Sequence, residues 1–343
     1  MFNCGIVGYG YMGDIREKVI ASHPKLQLVG IAETNPVSRQ RIQGCKAFKS
    51  FDALLKEDTD IIFVCTPNRY SPEICIRSMQ AGKHVFCEKP PGRNLQDIKD
   101  IMAHETKDTK LMFGFNHRFH PGIVKAKTIA DSGQLGEIVA VHGIYGKSGG
   151  KNFPASWRNN KNISGGGILL DQGIHMLDLF LYFCGDFQQV KAFLSDKYWQ
   201  FDVEDNACVI LKNHDGQIAM LHSSATFWKH QFRIHIILKK GYLTVEGLLS
   251  KTGSYGRETL IIGRQQFEDE TEALGNPSEE IVYFDTDRSW ETEVNEMVRC
   301  INENKPVSIS SSRDAYKVMN IIDAAYKDSI SQEMSFMAVH KPA

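Results

Sequence analysis

Asp171 and His175 stand four residues apart in this 343-residue chain, and their types and spacing suit proton transfer. On a helix, positions i and i+4 share a face, so the two side chains would meet. A carboxylate beside an imidazole can orient the ring and hold its proton, which makes a general acid/base unit. A hydrogen-bonded core pair would show the same spacing, so the rest of the chain must decide between the two. Gly165-Gly166-Gly167 opens this stretch. Ile168, Leu169, Ile174, Leu177, Leu179 and Phe180 then recur as on a mostly buried helix that runs to Gly185 and is interrupted only by Gly173.

A second group of residues lies at the N-terminus. An apolar strand over 2–7 runs into Gly8-Tyr9-Gly10-Tyr11-Met12-Gly13, a helical stretch follows to about Ser22, and a second strand over 28–32 ends at Glu33. Gly8 permits the tight turn, Gly10 lets the backbone approach a pyrophosphate, and Gly13 lets helix pack on strand. The helix N-terminus, at Tyr11 and Met12, offers backbone N–H groups to phosphates. Glu33, twenty residues after Gly13, can accept hydrogen bonds from the adenosine ribose. Its charge would repel a 2′-phosphate, so NAD is expected over NADP, although Arg39 is six residues further on.

Strands and helices keep alternating. The strand over 60–65 leads into Thr66-Pro67-Asn68, and the strand over 83–87 into Glu88-Lys89-Pro90; helices follow to Ala81 and from Leu95, and a further strand covers 110–115. This order predicts a right-handed parallel α/β sheet. Ligands bind beyond the carboxyl ends of such strands, where both tripeptides lie. Pro90 suits a special turn that would fix where Lys89 points.

Taken in order, Gly8–Gly13, Thr66-Pro67-Asn68, Glu88-Lys89-Pro90, Gly114-Phe115-Asn116-His117-Arg118-Phe119 and the 165–178 stretch resemble the Gfo/Idh/MocA oxidoreductases, which include glucose-fructose oxidoreductase and inositol dehydrogenase. One departure is Ser71, where that family often has His. The resemblance implies that Thr66, Pro67, Asn68, Glu88 and Lys89 border the cofactor. It also implies that Lys89 lies near the nicotinamide and the reacting hydroxyl, with Asn116 and Arg118 on the substrate side. His175 would be the acid/base, with Asp171 beside it. The chemistry divides the work the same way: one group accepts the hydroxyl proton and a cation steadies the developing alkoxide.

The remainder is less specific. The segment 146–167 is loop-like and carries Lys147, Lys151, Arg158 and Lys161, with no Asp or Glu between Glu137 and Asp171. Such a loop can receive an anionic substrate such as a sugar acid or nucleotide sugar, with Trp157 stacking and Arg158 binding its charge; a solvated loop anchored by Trp157 would read the same. A connecting helix is expected over 119–132 and a strand from Gly136. After Gly185 come successive short strands, expected to be mainly antiparallel, then helices over 290–303 and 313–329 and a short tail.

A formal net charge of -1 argues against a general nucleic-acid or membrane-surface role. No run of 18 apolar residues marks a spanning helix. The eight cysteines form no C-x-x-C pair, so no metal site is expected and a reducing cytoplasm fits. The expectation is an α/β plus α+β protein: a Rossmann domain over 1–118, then a substrate-binding and oligomerisation domain over 119–343 built on a large open, mostly antiparallel sheet. Its reaction would be NAD-dependent oxidation of a secondary hydroxyl on a sugar, cyclitol, sugar acid or nucleotide sugar. Homodimers or homotetramers follow from the family resemblance. A non-catalytic NAD-binding sensor and a redox-assisted glycoside-cleaving enzyme remain as alternatives.

Overall fold

The alternating apolar runs of the first hundred residues form one parallel sheet. In the computed structural model, which describes residues 1–266 and 275–339, its strands are β1 (Phe2–Val7), β2 (Leu26–Ala32), β3 (Lys46–Phe48), β4 (Ile61–Val64), β5 (His84–Cys87) and β6 (Leu111–Phe113). Their order is β3-β2-β1-β4-β5-β6. All five pairings are parallel. β4 is buried at every residue, as expected of a strand covered on both faces. Helices α1 (Tyr11–Ser22), α2 (Pro36–Arg39), α3 (Phe51–Leu55), α4 (Ser71–Gln80) and α5 (Leu95–Met102) connect the strands. Asn35, Ser50 and Asn94 cap α2, α3 and α5 by accepting backbone N–H bonds.

The second sheet has eight strands: β7 (Ile138–Gly146), β8 (Gln189–Ser195), β9 (Asn206–Lys212), β10 (Ile218–Ser224), β11 (Gln231–Leu238), β12 (Gly241–Glu246), β13 (Glu258–Arg264) and β14 (Glu279–Phe284). They lie in the order β14-β13-β12-β11-β7-β10-β9-β8. Only β7 and β10 pair in parallel; the other six pairings are antiparallel. Before β7 comes α6 (Pro121–Asp131), and between β7 and β8 come α7 (Lys161–Ser164) and α8 (Ile174–Cys184). α8 buries nine of its eleven residues against the inner face of this sheet. Gly143 on β7 leaves the space that Met176 and Phe180 of α8 fill. The stretch Lys161–Cys184 is long and apolar enough to cross a membrane, but 83% of its most apolar window is buried inside the fold, as in a core helix.

Register also defines the outer face. Phe193, Ile210, Ile218, Met220 and Ile281 fall on one side of the sheet. Each is at least 41% exposed, so this face presents an apolar surface.

The chain divides into two compact units. One holds Met1–Asn116, Asn162–Gly165 and Ser289–Met319; the other holds His117–Lys161, Gly166–Arg288 and the chain from Asn320 on. A cut between 118 and 119 therefore misplaces the segment 289–319. That segment returns because α9 (Ser289–Asn302) packs on α1, and because the Phe113 N–H donates to the Ser310 carbonyl at 2.8 Å. The last helix, α10, spans Ser312–Val339, longer than the expected 313–329; residues 340–343 of the expected tail lie outside the described residues. The eight cysteines are free thiols.

Arg16 of α1 is a fully buried charge in the first unit. It is 0% exposed, and its Nε donates to Glu88 at 2.6 Å while its Nη2 donates to Glu293 of α9 at 2.5 Å. Its guanidinium also packs over Phe86 and Trp290. Removing one member of a buried charge network leaves the others uncompensated. Arg16→Ala should lower unfolding free energy by about 3–5 kcal/mol in urea titrations. A loss below about 1 kcal/mol, the range of a surface pair, would show that the network is not holding α1 and α9 together.

Candidate functional site

The first unit brings its predicted residues to one end of its sheet. β1, β4 and β5 are neighbours, so the Gly8 turn, Thr66-Pro67-Asn68 and Glu88-Lys89-Pro90 stand side by side beyond their carboxyl ends. The crevice between β1 and β4 is where the strand order reverses, the switch point at which such sheets take ligands. Gly8 has φ +93°, and a Cβ there would come 2.6 Å from the Cys65 carbonyl oxygen. A Cβ on Gly13 would collide with the Gly8 carbonyl, whereas Gly10 has nothing within 4 Å. The turn is therefore tight where it must pack and open where a pyrophosphate would approach, so the residues present fit a dinucleotide.

Glu33 is tied into this turn. Its carboxylate accepts the Tyr9 N–H at 2.6 Å and the Asn35 N–H at 2.7 Å. Arg39 donates to the carbonyls of Glu33 and Thr34 at 2.8 and 3.2 Å. Arg41 donates to the Tyr9 carbonyl at 2.9 Å. Asn68 is buried and donates to the Ser164 carbonyl at 2.7 Å. Ser71 lies 3.2 Å from the Thr66 hydroxyl, so it braces the Thr66 turn. Lys89 is half-buried, and the Lys89–Pro90 peptide is cis. Asn116 donates to the Ser289 hydroxyl at 3.2 Å.

The second unit holds the acid and the imidazole. Leu169–Gly173 is a π-helical turn, so Asp171 enters α8 through a widened turn rather than a regular one. Gly167 must be glycine, since a Cβ would collide with the Glu204 carbonyl. Glu204 caps this entry by accepting the N–H groups of Gly167 and Leu169 at 2.9 and 3.0 Å. Burial pushes the Glu204 carboxyl above the usual carboxylate range, against the hydrogen bonds it accepts. The two oxygens of Asp171 face two cations: Lys147 at the end of β7 at 2.9 Å, and Arg158 at 3.1 Å. Arg158 also lies 4.6 Å over the Trp157 ring. Two of the four cations of the 146–167 loop are thus engaged by Asp171.

His175 is 4% exposed. Its ring stacks on His117 at 3.8 Å with an interplanar angle of 22°, and Tyr145 meets it edge-on at 6.2 Å. Tyr145 is buried, and desolvation raises its phenol well above the ordinary value. Tyr255, 5.6 Å from Tyr145, accepts a hydrogen bond from Gln172 at 2.9 Å. Desolvation pushes the Tyr255 phenol up to about 12, so it stays protonated at neutral pH. Behind His117 lies His120, 2.8 Å from Glu258, which also accepts the Gly122 N–H at 2.6 Å. Arg118 is placed as a structural residue: its Nε and Nη2 grip both oxygens of Asp178 on α8 at 2.8 and 2.7 Å. His117, Tyr145, Gln172 and Tyr255 are missing from the sequence-based site. His117 lay in view, inside the N-H-R string; the tyrosines are scattered and carried no spacing signal. Among the described residues, no group of three or more His, Cys, Asp or Glu could hold a metal.

Two family models match this chain: an oxidoreductase family, NAD-binding Rossmann fold model over residues 2–117, and a GFO/IDH/MocA C-terminal domain model over residues 123–244. The chain belongs to the Gfo/Idh/MocA oxidoreductase family. Levoglucosan dehydrogenase of Pseudarthrobacter phenanthrenivorans is 34% identical over 210 residues, covering 56% of this chain and 54% of that protein, so the match spans about half of that relative. Myo-inositol 2-dehydrogenase of Thermotoga maritima is 26% identical over 96% of this chain and 97% of its own length. Among solved structures, levoglucosan dehydrogenase in complex with NADH and levoglucosan superposes with a TM-score of 0.84 at 23% identity, covering 96% of this chain and 97% of that one. At that identity the likeness establishes the shared fold.

A side chain at Gly13 would displace the Gly8 carbonyl and close the turn. Gly13→Val should weaken NAD binding at least roughly 10-fold by calorimetry, since about 1.4 kcal/mol is a tenfold change in affinity. An unchanged Kd would show that the turn does not hold the dinucleotide.

Proposed function

We propose that this protein is an NAD-dependent oxidoreductase that interconverts a secondary hydroxyl and a ketone on a sugar or cyclitol. The observation that carries the reading is the dinucleotide cradle at the ends of β1 and β4 with Lys89 at the end of the adjacent β5. The relatives support the substrate class, being named for levoglucosan and myo-inositol. NAD is favoured over NADP because Glu33 puts a carboxylate at the ribose position and Arg39 and Arg41 already serve backbone carbonyls.

NAD, when bound, supplies the hydride acceptor. Every other role falls to this chain. Gly8, Gly10, Tyr11, Met12 and Gly13 receive the pyrophosphate, and Glu33 the adenosine ribose, with Thr66, Pro67, Asn68 and Glu88 bordering the cofactor. His175 takes the hydroxyl proton as the carbon loses hydride, and the Lys89 ammonium steadies the alkoxide. Asp171, fixed by Lys147 and Arg158, accepts hydrogen bonds from substrate hydroxyls. Asn116, Trp157 and Arg158 border the substrate. Arg118 is a positioning residue that sets α8 through Asp178. A sensor on this scaffold would need the cradle but neither Lys89 nor His175.

The outer face of the second sheet supports a homo-oligomer, because apolar side chains on five exposed positions gain by burial against a second copy. Sedimentation should give a dimer or larger, and Ile210→Lys with Met220→Glu should shift it to monomer; a monomeric parent would contradict this.

Turnover is best followed as NADH formation with a panel of sugars and cyclitols. His175→Ala should lower kcat by roughly 10²–10⁴-fold while NAD binding persists. If Lys89 and His175 serve one chemical step, Lys89→Ala should cost far less in the His175→Ala background than alone, because groups that act as a unit are non-additive. Full additivity, or an undiminished His175→Ala, would contradict the assignment.

A further inference from the structure

A run of aromatic rings leads away from the pocket beside Asp171. That pocket is lined by Phe153, Arg158, Asp171, Phe201, Glu204 and Asp205, among others. Phe153 lies 5.1 Å from Trp199, and Trp199 stacks on Phe201 at 5.8 Å with an interplanar angle of 10°. Tyr198 meets Trp199 edge-on at 5.1 Å and Trp228 at 5.0 Å. The two outermost rings are left in solvent: Tyr198 is 56% exposed and Trp228 64%. Leaving such area wet gains nothing for folding.

The run is also held in place without a ligand. Asp205 accepts the N–H groups of Tyr198 and Trp199 at 2.9 and 2.7 Å, and the Trp199 indole donates to the Ala225 carbonyl at 3.0 Å. Gln200, next in the chain, has φ +52°, a left-handed conformation that a non-glycine residue rarely adopts. A platform fixed in advance loses little entropy on binding.

We propose that Tyr198 and Trp228 form a second sugar subsite, which takes the pyranose ring glycosidically attached to the ring that reacts near Asp171. This rests on the sugar-oxidising reading above. Pyranose rings present C–H faces that pack on aromatic rings and hydroxyl edges that need polar partners. Asp205 lines the pocket, and although its carboxylate already accepts the Tyr198 and Trp199 N–H groups, a negative charge at that position disfavours the diphosphate of a nucleotide sugar. The occupant is therefore a neutral glycosyl unit, and the enzyme would prefer a disaccharide or aryl-free glycoside of two rings over a free monosaccharide.

The test is calorimetric binding to the NAD-loaded protein of maltose, cellobiose, methyl glucosides and UDP-glucose. At least one disaccharide should bind roughly tenfold or more tightly than the matching methyl glucoside. Tyr198→Ala with Trp228→Ala should erase that advantage and leave methyl glucoside binding within about twofold; unchanged thermal unfolding would exclude a folding defect at these exposed positions. No disaccharide advantage, or one that survives the double variant, overturns the subsite. Preferential binding of UDP-glucose that the variant abolishes assigns the rings to a nucleobase and also overturns it. Failure of the oxidising reading shows separately, as no NADH formed with any sugar that binds.

Discussion

The second unit depends on one constraint: a helix with almost no polar face must still carry an imidazole and an acid. α8 buries nine of its eleven residues, His175 and Asp178 among them. Each buried polar group needs its own arrangement. Asp178 is neutralised by the two-pronged grip of Arg118, the geometry in which an Arg–carboxylate pair is strongest. His175 lies flat against His117, which removes the freedom of its ring to turn. Asp171 is carried on the π-turn just before α8, where the widened turn sets its carboxylate between Lys147 and Arg158. Charge at this end of the sheet is thus fixed before any substrate arrives, the condition for electrostatic stabilisation without reorganisation.

The first unit meets a related demand with one guanidinium. Arg16 belongs to the helix that begins at the glycine turn, and its partner Glu88 immediately precedes Lys89. Its second partner, Glu293, comes from a helix nearly three hundred residues along the chain. One fully buried cation therefore links the nucleotide helix, the strand end that carries the ammonium, and the returning segment. Glu33 does the same on a smaller scale: it accepts the N–H of Tyr9, inside the turn, while standing at the end of β2.

Local patterns were legible in the sequence, and distant closures were not. The glycine turn, β4, β5 and the tripeptides after them were readable because apolar runs and turn residues repeat at short range. The sheet-forming repeats after Gly185 were readable for the same reason. β3 and α3 were missed because they are three and five residues long, below the length at which periodicity shows. The segment 289–319 joins the first unit through contacts between residues far apart in the chain, α9 on α1, Arg16 with Glu293 and Phe113 with Ser310, which no local pattern announces. Asp171 and His175 stand out by a spacing that presumes a regular helix, whereas Asp171 sits in a π-turn, which leaves no composition signal. The motif alone implies a substrate contact for Arg118, whereas in the fold its guanidinium grips Asp178. Tyr145, beside His175, lies on β7, and its neighbour Tyr255 lies in a turn after β12, so no window of sequence contains both.

The central claim is that His175 is the proton acceptor of an NAD-linked oxidation. The most direct measurement is the pH dependence of kcat/KM for NADH formation in the parent protein and in His175→Gln, with the best sugar or cyclitol as substrate. The parent should lose activity toward acid with a slope of one, as an essential base becomes protonated, and the slow residual rate of the variant should lack that limb. An identical acid limb in both proteins would contradict the account.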